Sequence, residues 1–258
     1  MRRLFPFAAG FVVNLATACG SASGGVVSAE PDGAALGMDV PDGSVPDGKA
    51  SLLDAAAPDG ATSGAWDGSF SGPLACSGGG AFTANYTGSC GIERWAIKTG
   101  ADAVAPTISL LPQLTTIATL GAIPAPTSLP SSTRVKPTES TVFAVKDVKL
   151  TFARLEDDGD YHLVLTDGTN AMIAEVPYPG GTCTKGSAWQ CLLSKARATV
   201  DAQLTLQLLK GKVENFVVSV AGVGFFDTEH SQFGAAPNAI EMHPVLEICF
   251  GVGCSLSK

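Results

Sequence analysis

The sequence is short of histidine, aromatic residues and positive charge, and each shortage narrows what the chain can do. Its 258 residues include three His, 7% aromatic residues, and 16 Lys plus Arg against 24 Asp plus Glu, for a net charge of −8. Nucleic-acid binders need a basic surface with stacking aromatics, so this balance argues against one. The hydrophobic content of 45% still provides for a buried core and excludes a wholly disordered chain.

Several common functional motifs are also absent from the sequence. No Cys-x-x-Cys pair occurs, which together with the scarcity of histidine argues against a zinc-finger type of site. There is no Gly-x-Ser-x-Gly nucleophile elbow and no Walker loop. Gly222-Val223-Gly224 is followed by Phe-Phe-Asp, so the third glycine and the helix of a dinucleotide-binding turn are missing.

The first nineteen residues have the character of an export signal. Arg2 and Arg3 precede an uncharged, mostly apolar stretch at 4–18 that contains Asn14 and is too short to span a bilayer. The stretch ends in Leu-Ala-Thr-Ala before Cys19 and Gly20, which resembles a bacterial lipobox. The resemblance implies lipidation of Cys19, removal of residues before it, and a lipid-anchored protein of the outer membrane or cell surface. The alternative is an ordinary signal peptide in which Cys19 has no role.

Residues 20–65 are predicted to be a disordered tether. Pro-Asp-Gly occurs four times in this stretch, and Ala, Ser and Gly fill most of the remainder. Proline and glycine interrupt regular structure and aspartate favours local turns, so the stretch cannot form a core. Calcium binding by the repeated aspartates is disfavoured, because the irregular spacing does not supply a cage of six to eight oxygens.

The cysteines indicate disulfides. Seven Cys less Cys19 leave six, and an exported chain meets oxidising conditions. Fifteen connectivities are possible for six cysteines, and the sequence does not select one. The simplest expectation is local pairing, in which each bridge closes a loop. The neighbouring candidates are Cys76 with Cys90, Cys183 with Cys191, and Cys249 with Cys254.

Residues 66–140 are predicted to be a disulfide-closed segment followed by an extended arm. A hairpin between Cys76 and Cys90 is expected first. Six prolines between 106 and 137 exclude long regular elements from the arm. At most one short helix is expected there, near Thr115–Leu120.

Five strands and one helix are predicted in residues 141–254. The strands are recognised by β-branched residues and period-two alternation, and the helix by apolar residues three and four apart. The helix at 187–209 is expected to expose Lys195 and Arg197. The predicted strands are Thr141–Leu155, Tyr161–Thr166, Ala171–Val176, Phe216–Val223 and Ile240–Phe250.

Two of these strands carry further predictions. In the first, Val145 and Val148 have opposite parity, which indicates a bulge at Lys146-Asp147. The last is expected to direct a set of alternating apolar residues inward. That set is Ile240, Met242, Leu246, Ile248 and Phe250.

Three strands, a helix and two strands is the element order of an OB-fold, a five-stranded, partly open barrel. A first strand that bends suits this fold, because it must belong to both sides of the barrel. We therefore predict a mainly β protein with an OB-like barrel and one helix between strands three and four. A plain antiparallel sandwich is the alternative.

The segment from about 94 to 251 also resembles an uncharacterised family of exported, OB-fold-like bacterial domains. The resemblance implies a fold and carries no activity. Glycine is common in that family where this chain has Ser231 and Ala239. The residues that carry the resemblance are Glu93–Gly100, Asp160–Leu165, Met172–Pro177, Gly222–Asp227 and Ala236–Val245.

The loops that an OB-fold uses for binding are acidic in this chain. OB-folds bind across strands two and three and the loops that join strands one to two and four to five. The first of these loops is Glu-Asp-Asp-Gly-Asp at 156–160, and the second contains Asp227, Glu229 and His230. A cation, a basic protein partner or a neutral saccharide therefore fits better than a nucleic acid. Asp157 and Asp158 are also typical of a solvated turn.

Three histidines and nearby carboxylates form the candidate site. Glu241 and His243 are two residues apart on a strand and so share a face. A divalent metal held by histidines and a carboxylate is conceivable, although a strand histidine more often bonds to a neighbour. The candidate binding residues are Asp160, His162, Asp227, His230, Glu241 and His243.

Two hypotheses for function follow. The first is a surface lipoprotein that displays a non-catalytic OB-like module for binding or structure, with the membrane as one partner and a protein, saccharide or cation as the other. The second is a metal-dependent hydrolase of the nuclease or phosphodiesterase type. It would use His162, Asp227, His230, Glu241 and His243. No Asp/Glu/Arg arrangement of the staphylococcal-nuclease type supports the second hypothesis.

Overall fold

The computed structural model describes residue 70 and residues 72–76, 86–204, 211–228 and 232–256. The predicted export signal, Cys19 and the tether at 20–65 lie outside these residues, as do Glu229, His230 and Ser231. Within the described part, no helix is both long and apolar enough to cross a membrane. The helices are α1 (Trp95–Lys98), α2 (Ile117–Gly121) and α3 (Gln190–Leu204), and the strands are β1 (Gln113–Leu114), β2 (Val142–Leu155), β3 (Tyr161–Thr166), β4 (Ala171–Val176), β5 (Lys212–Phe226) and β6 (Ile240–Phe250).

Strands β2 to β6 close into a five-stranded barrel. Their order around the barrel is β2-β3-β4-β6-β5, and β5 pairs again with β2. The β4–β6 pairing is parallel and the other pairings in the barrel are antiparallel. With α3 between β4 and β5, this is the topology of an OB-fold, which confirms the predicted fold class. The bounds of β3, β4 and β6 are those predicted.

The predicted bulge in β2 is present. The pairing of β2 with β5 shifts register between Val145 and Val148, and Asp147 has a φ of 51°. The shift lets Val145 and Val148, which have opposite parity, both enter the barrel interior. As a result, β2 continues across both sides of the barrel and pairs with β3 as well as with β5.

Strand β5 is longer than predicted, because its glycines mark close approaches and do not end the strand. A Cβ at Gly222 would lie 2.8 Å from the carbonyl oxygen of Pro244, and one at Gly224 would lie 2.9 Å from that of Thr138. Glycine at both positions therefore lets other backbone lie directly against the strand. This extends β5 to Phe226 at the edge of the candidate site.

The barrel interior is filled by apolar side chains. A second apolar cluster, which includes Trp189 and Leu193, lies between α3, the arm and parts of β2, β5 and β6. Leu246 belongs to this second cluster and not to the interior, because the β5–β6 register shifts at Ala221 and Gly222. The interior residues include Val145, Leu150, Leu163, Leu165, Met172, Ala174, Val220, Met242 and Val245.

Helix α3 packs on both apolar clusters, and this makes the prediction for Arg197 wrong. Ala196 and Val200 enter the barrel cluster, whereas Trp189 and Leu192 belong to the second one. A helix buried on two sides has little exposed surface, and Arg197 is 2% exposed. Its guanidinium lies 3.2 Å from the centroid of the Tyr161 ring and donates to the carbonyl of Gly159 at 2.8 Å.

Residues 92–140 form the predicted arm with short elements. Helix α2 corresponds to the helix expected near Thr115–Leu120, and its Ile117 and Leu120 pack into the barrel cluster. Thr116 caps α2, because its Oγ1 accepts a hydrogen bond from the backbone N–H of Thr119 at 3.0 Å. The arm also contains α1, which was not predicted and which lies over the outside of the barrel.

The expectation of local pairing is wrong for two of the three disulfides. The structure pairs Cys76 with Cys191 and Cys90 with Cys183, at sequence separations of 115 and 93 residues. The Cys249–Cys254 bridge is local, as expected. The two long-range bridges fasten the start of the arm to the segment around the N-terminus of α3. Three disulfides are typical of an exported protein.

Candidate functional site

The outward side of β3, β4 and β6 carries buried ionisable side chains. The outer surface of a barrel is usually a mixture of polar and apolar residues in contact with solvent. His162 on β3 pairs with Glu175 on β4, and Glu241 on β6 pairs with Ile173 on β4. With His243, two residues beyond Glu241, these four residues form the polar outer face. Each is less than 5% exposed, so four ionisable groups are buried outside the apolar interior.

Arg94 fixes the arm over this face. Its guanidinium forms a two-point contact with Glu139, at 2.8 and 2.6 Å, and donates to the carbonyl of Phe226 at 2.9 Å. Glu139 is fully buried and also accepts from the N–H groups of Val135 and Phe226. This network anchors the residue before α1, and α1 in turn carries Lys98 to 3.3 Å from Asp227.

His243 lies between two buried carboxylates. Its Nδ1 is 3.1 Å from Oε1 of Glu241, and its Nε2 is 3.3 Å from Oδ2 of Asp160. A carboxylate accepts hydrogen bonds, so an imidazole that faces one on each side is best satisfied when both nitrogens carry protons. Burial opposes that charge, but the contacts with Asp160 and Glu241 raise the pKa of His243 to about 10.

His162 has a different set of neighbours. Its Nδ1 is 2.9 Å from Oε1 of Glu175 and 3.5 Å from Oε1 of Glu156, and its Nε2 is 3.1 Å from the carbonyl oxygen of Phe233. Burial lowers the pKa of His162, but the hydrogen bond and charge of Glu175 outweigh it, and the net shift is upward. Burial, reinforced by the charge of Glu241, raises the pKa of Glu175 to about 7.

The chain turn that brings the Phe233 carbonyl to His162 depends on glycine. Gly234 has a φ of 90°, and a Cβ there would lie 2.5 Å from the side chain of Val164. The ring of Phe233 contacts the ring of Phe152, which also lies edge-on to His162. Aromatic side chains therefore shield one side of the imidazole.

Two cavities adjoin the polar outer face. The first, of about 260 Å³, lies between the arm and the barrel, and ionisable residues dominate its lining. The second, of about 310 Å³, shares Asp227 and Gln232 with the first and is also bordered by Glu241. The first cavity is lined by Lys98, Glu156, Asp158, Glu175, Asp227 and His243, among others.

Negative charge predominates around these cavities. Seven carboxylates lie there against Lys98, the two histidines and Arg154, which pairs with Glu156. Burial lowers the pKa of Lys98, but the charges of Glu241, Asp227 and Glu175 reverse the effect and raise it. The carboxylates are Glu93, Glu156, Asp158, Asp160, Glu175, Asp227 and Glu241. This surplus favours a ligand with positive charge.

The structure brings five of the six predicted binding residues to one region, and His230 lies outside the described residues. Asp160, Glu241 and His243 form one contact chain, whereas His162 belongs with Glu175 and Asp227 belongs with Lys98. Glu175 and Lys98 are not among the site residues predicted from the sequence. A carboxylate inside the otherwise apolar strand at 171–176 was the available signal for Glu175; Lys98 had none.

One group of described residues has the geometry to hold a metal ion. The potential ligand atoms of Glu156, His162 and Glu175 all lie within 4.8 Å of one another. This group shares only His162 with the metal set expected from the sequence. Asp158, expected as part of a solvated turn, is half-buried at the edge of the same region, while Asp157 is exposed.

Comparison with known proteins adds little to this geometry. No protein family and no curated protein matches the chain. One solved structure with similarity is described as an aspartyl-tRNA synthetase from Leishmania major Friedlin, with 11% sequence identity and a TM-score of 0.31. The match covers 57% of this chain and 22% of that one, so the chain spans about a fifth of the length of the protein it matches.

Proposed function

We propose that the chain is an exported, lipid-anchored surface protein whose OB-like barrel is a non-catalytic binding module for a positively charged ligand. The observation that carries the proposal is the surplus of carboxylates around the two cavities that adjoin the polar outer face. OB-folds bind their ligands across this face and the two loops that adjoin it. In this chain, Asp160 ends one of those loops and Asp227 begins the other.

Charge decides among the ligand classes. Single-stranded nucleic acid requires a basic groove, and the cavity residues have the opposite sign. A neutral saccharide can donate hydroxyl hydrogen bonds to carboxylates but brings no charge to balance their surplus, whereas a basic segment of a partner protein would do both. Asp227 and Glu175 line the first cavity, so a cationic side chain that entered it would meet carboxylates from both β4 and the loop after β5.

The alternative of a hydrolase built on His162, Asp227, His230, Glu241 and His243 has less support. A catalytic imidazole needs a nitrogen that can reach substrate or metal. Both nitrogens of His243 face carboxylates of the protein, and Asp227 pairs with Lys98. His230 lies outside the described residues. We therefore favour a binding module over this hydrolase.

Binding can be tested with peptides that differ only in charge. The full chain, with its disulfides intact, would be titrated with lysine-rich, neutral and glutamate-rich peptides of equal length, and with neutral oligosaccharides. We expect the lysine-rich peptide to bind most tightly and its binding to weaken as salt is added. Asp227→Asn should weaken that binding about tenfold, which corresponds to roughly 1.4 kcal/mol.

Glu247→Gln is the matched control for this experiment. Glu247 is a buried carboxylate of β6, but it pairs with Lys195 of α3 and does not line either cavity. We expect Glu247→Gln to leave the affinity for the lysine-rich peptide unchanged. Tighter binding of a neutral or acidic probe, or equal affinities for Asp227→Asn and the parent chain, would refute a cationic ligand at this face.

The lipid anchor requires its own test. The lipobox resemblance at Cys19 and the disulfides support export and anchoring. Bacteria that express the chain would be fed a clickable fatty acid, and the membrane fraction would be examined for labelled protein. We expect label on the parent chain and none on Cys19→Ser. Equal labelling of the two, or none on either, would contradict lipidation at Cys19.

A further inference from the structure

The hydrogen bond at Nε2 of His162 leaves the other ring nitrogen, Nδ1, available to bind a positive ion. The carbonyl oxygen of Phe233 can only accept a hydrogen bond, so the Nε2 atom that lies 3.1 Å from it must carry hydrogen. In the neutral imidazole, Nδ1 is then a bare lone pair. That lone pair faces Oε1 of Glu175 at 2.9 Å and Oε1 of Glu156 at 3.5 Å. Three electron-rich atoms this close together require a proton or a metal ion among them.

From this arrangement we infer that His162, Glu175 and Glu156 bind a divalent first-row metal ion of the Zn²⁺ type. Ligands at about 2.1 Å from a tetrahedral ion lie roughly 3.4 Å from one another. The two measured distances from Nδ1 bracket that value. One imidazole and two carboxylates suit a zinc-like ion better than Ca²⁺, which prefers six to eight oxygens.

The surroundings of His162 resemble those of a metal-bound histidine in other respects. A ligating histidine usually donates its second N–H to a carbonyl or carboxylate, which fixes the ring, and the Phe233 carbonyl has that position. Phe152 and Phe233 supply an apolar wall beside the ring. Glu156 and Glu175 also line the cavity of about 260 Å³, which leaves room for a fourth ligand such as water.

One contact competes with the ion. Nη2 of Arg154 lies 2.6 Å from Oε1 of Glu156. The side chain of Arg154 is 52% exposed, so it can move into solvent when an ion binds to Glu156. The inference rests on the proposed function in one respect, because both require this face to accept positive charge.

The experiment is a titration of the full, disulfide-intact chain with Zn²⁺ after treatment with a chelator, followed by calorimetry. We expect one Zn²⁺ per chain, and no measurable binding of Ca²⁺ under the same conditions. His162→Gln and Glu175→Gln should each weaken Zn²⁺ binding at least tenfold, whereas Glu247→Gln should leave it unchanged. Arg154→Ala should bind Zn²⁺ more tightly than the parent chain, because it removes the cation that competes for Glu156.

If His162→Gln or Glu175→Gln does not fold, Glu156→Gln still tests the metal site. The Glu156 side chain is 18% exposed and lies in a loop, so its replacement is expected to leave the circular dichroism spectrum unchanged. It should still weaken Zn²⁺ binding. Absence of Zn²⁺ binding by the parent chain would mean that a proton occupies the place of the ion, and would overturn the inference.

Failure of the metal site and failure of the proposed function give different results. If the parent chain binds no Zn²⁺ but prefers the lysine-rich peptide, only the metal site is refuted. If it binds Zn²⁺ with the expected sensitivity to His162→Gln but has no preference for a cationic peptide, the metal site holds and the binding module for basic ligands is refuted. Zn²⁺ affinity that is the same in Glu156→Gln and the parent chain would overturn this site.

Discussion

The two sides of β3, β4 and β6 are equally buried and chemically opposite. The inward residues include Leu163, Ala174 and Met242, and the outward residues His162, Glu175 and His243. Apolar burial stabilises a fold directly, whereas buried charges lose hydration and recover it only through partners. The inner side therefore accounts for the barrel, and the outer side is where this chain retains groups that stability alone does not require.

The arm and its disulfides create the difference between the two sides. A barrel face of this kind would be solvated if residues 91–98 did not lie over it. Disulfides at Cys90–Cys183 and Cys76–Cys191 fasten the arm, and the Arg94–Glu139 pair locks it against the end of β5. Loss of the arm should thus affect the outer side much more than the interior.

Removal of both long-range disulfides should have the largest effect. Replacing Cys76, Cys90, Cys183 and Cys191 by Ala frees two nested loops, each expected to cost about 2–4 kcal/mol when opened alone. Because the loops are nested, the loss should exceed either single value and fall short of their sum. Chemical denaturation of the quadruple variant and of each double variant measures these values.

The pairing itself has a direct check. Peptide mapping without reduction should recover one fragment that joins Cys76 to Cys191 and another that joins Cys90 to Cys183. A map with Cys76 joined to Cys90 would instead restore the local pattern and remove the basis for an arm that is fastened at both points.

Breaking the Arg94–Glu139 pair should be the next largest effect. Arg94→Met keeps the volume but leaves Glu139 buried without its cation, and the loss of one partner from such a pair costs about 3–5 kcal/mol. The free energy of unfolding measures this effect. Arg94→Met with Glu139→Gln should recover part of the loss, since no charge then remains buried. No recovery in the double variant would mean that Arg94 acts through packing.

Truncation of a side chain in the barrel interior tests the inward side of the same strands. Leu165 is fully buried in the barrel cluster, and Leu165→Ala should cost about 2–5 kcal/mol, with a centre near 3. Its effect should appear as lower stability with unchanged affinity for a cationic peptide in the folded protein. A change in that affinity comparable to Asp227→Asn would show that the two sides are not separable.

Much of the barrel could be predicted from local sequence, because turn residues bound runs of alternating apolar residues. Tyr161–Thr166 and Ala171–Val176 are flanked by such turns, and both match the structure. Ala239 has a φ of 54°, a left-handed backbone conformation that glycine adopts at less cost. These are features that a few neighbouring residues determine.

The features that could not be predicted depend on contacts far apart in the sequence. The partner of Cys76 is set by the path of the arm around the barrel, which no local pattern records. The spacing of apolar residues in α3 predicts a solvated face with Arg197. The helix instead packs on two apolar clusters, which buries Arg197. Lys98 reaches Asp227 only because Arg94 fixes α1 from outside the helix.

The pH dependence of stability should be smaller and should come from the polar outer face. The pKa of His243 is about 10 in the folded chain, against an ordinary value near 6.5. The contacts of protonated His243 therefore stabilise the folded chain fully below about pH 6.5. This stabilisation is lost as the pH rises through about 10. Urea titrations between about pH 6 and 10 should show the free energy of unfolding falling across this range.

His243→Asn tests whether this residue is responsible. Asp160 and Glu241 face His243 from two sides, and the positive charge of Lys98 lies nearby. The variant should be less stable than the parent at pH 6 and should lose less stability between that pH and 10. Parallel pH profiles for the two proteins would assign the decline to other groups, such as Glu175, whose raised pKa of about 7 also makes stability fall as the pH rises toward that value.

The smallest effect is expected for an ion pair that resembles Arg94–Glu139 in chemistry but has an exposed cation. Nζ of Lys195 lies 3.0 Å from Oε1 of Glu247, and the Lys195 side chain is 39% exposed. Solvent screens this pair and hydrates the lysine, so Lys195→Ala should cost less than about 1 kcal/mol. Denaturation in low and high salt, beside Arg94→Met, measures the contrast. A loss for Lys195→Ala as large as that for Arg94→Met would mean that charge pairing itself, and not the burial of the cation, determines how much an ion pair contributes to the stability of this chain.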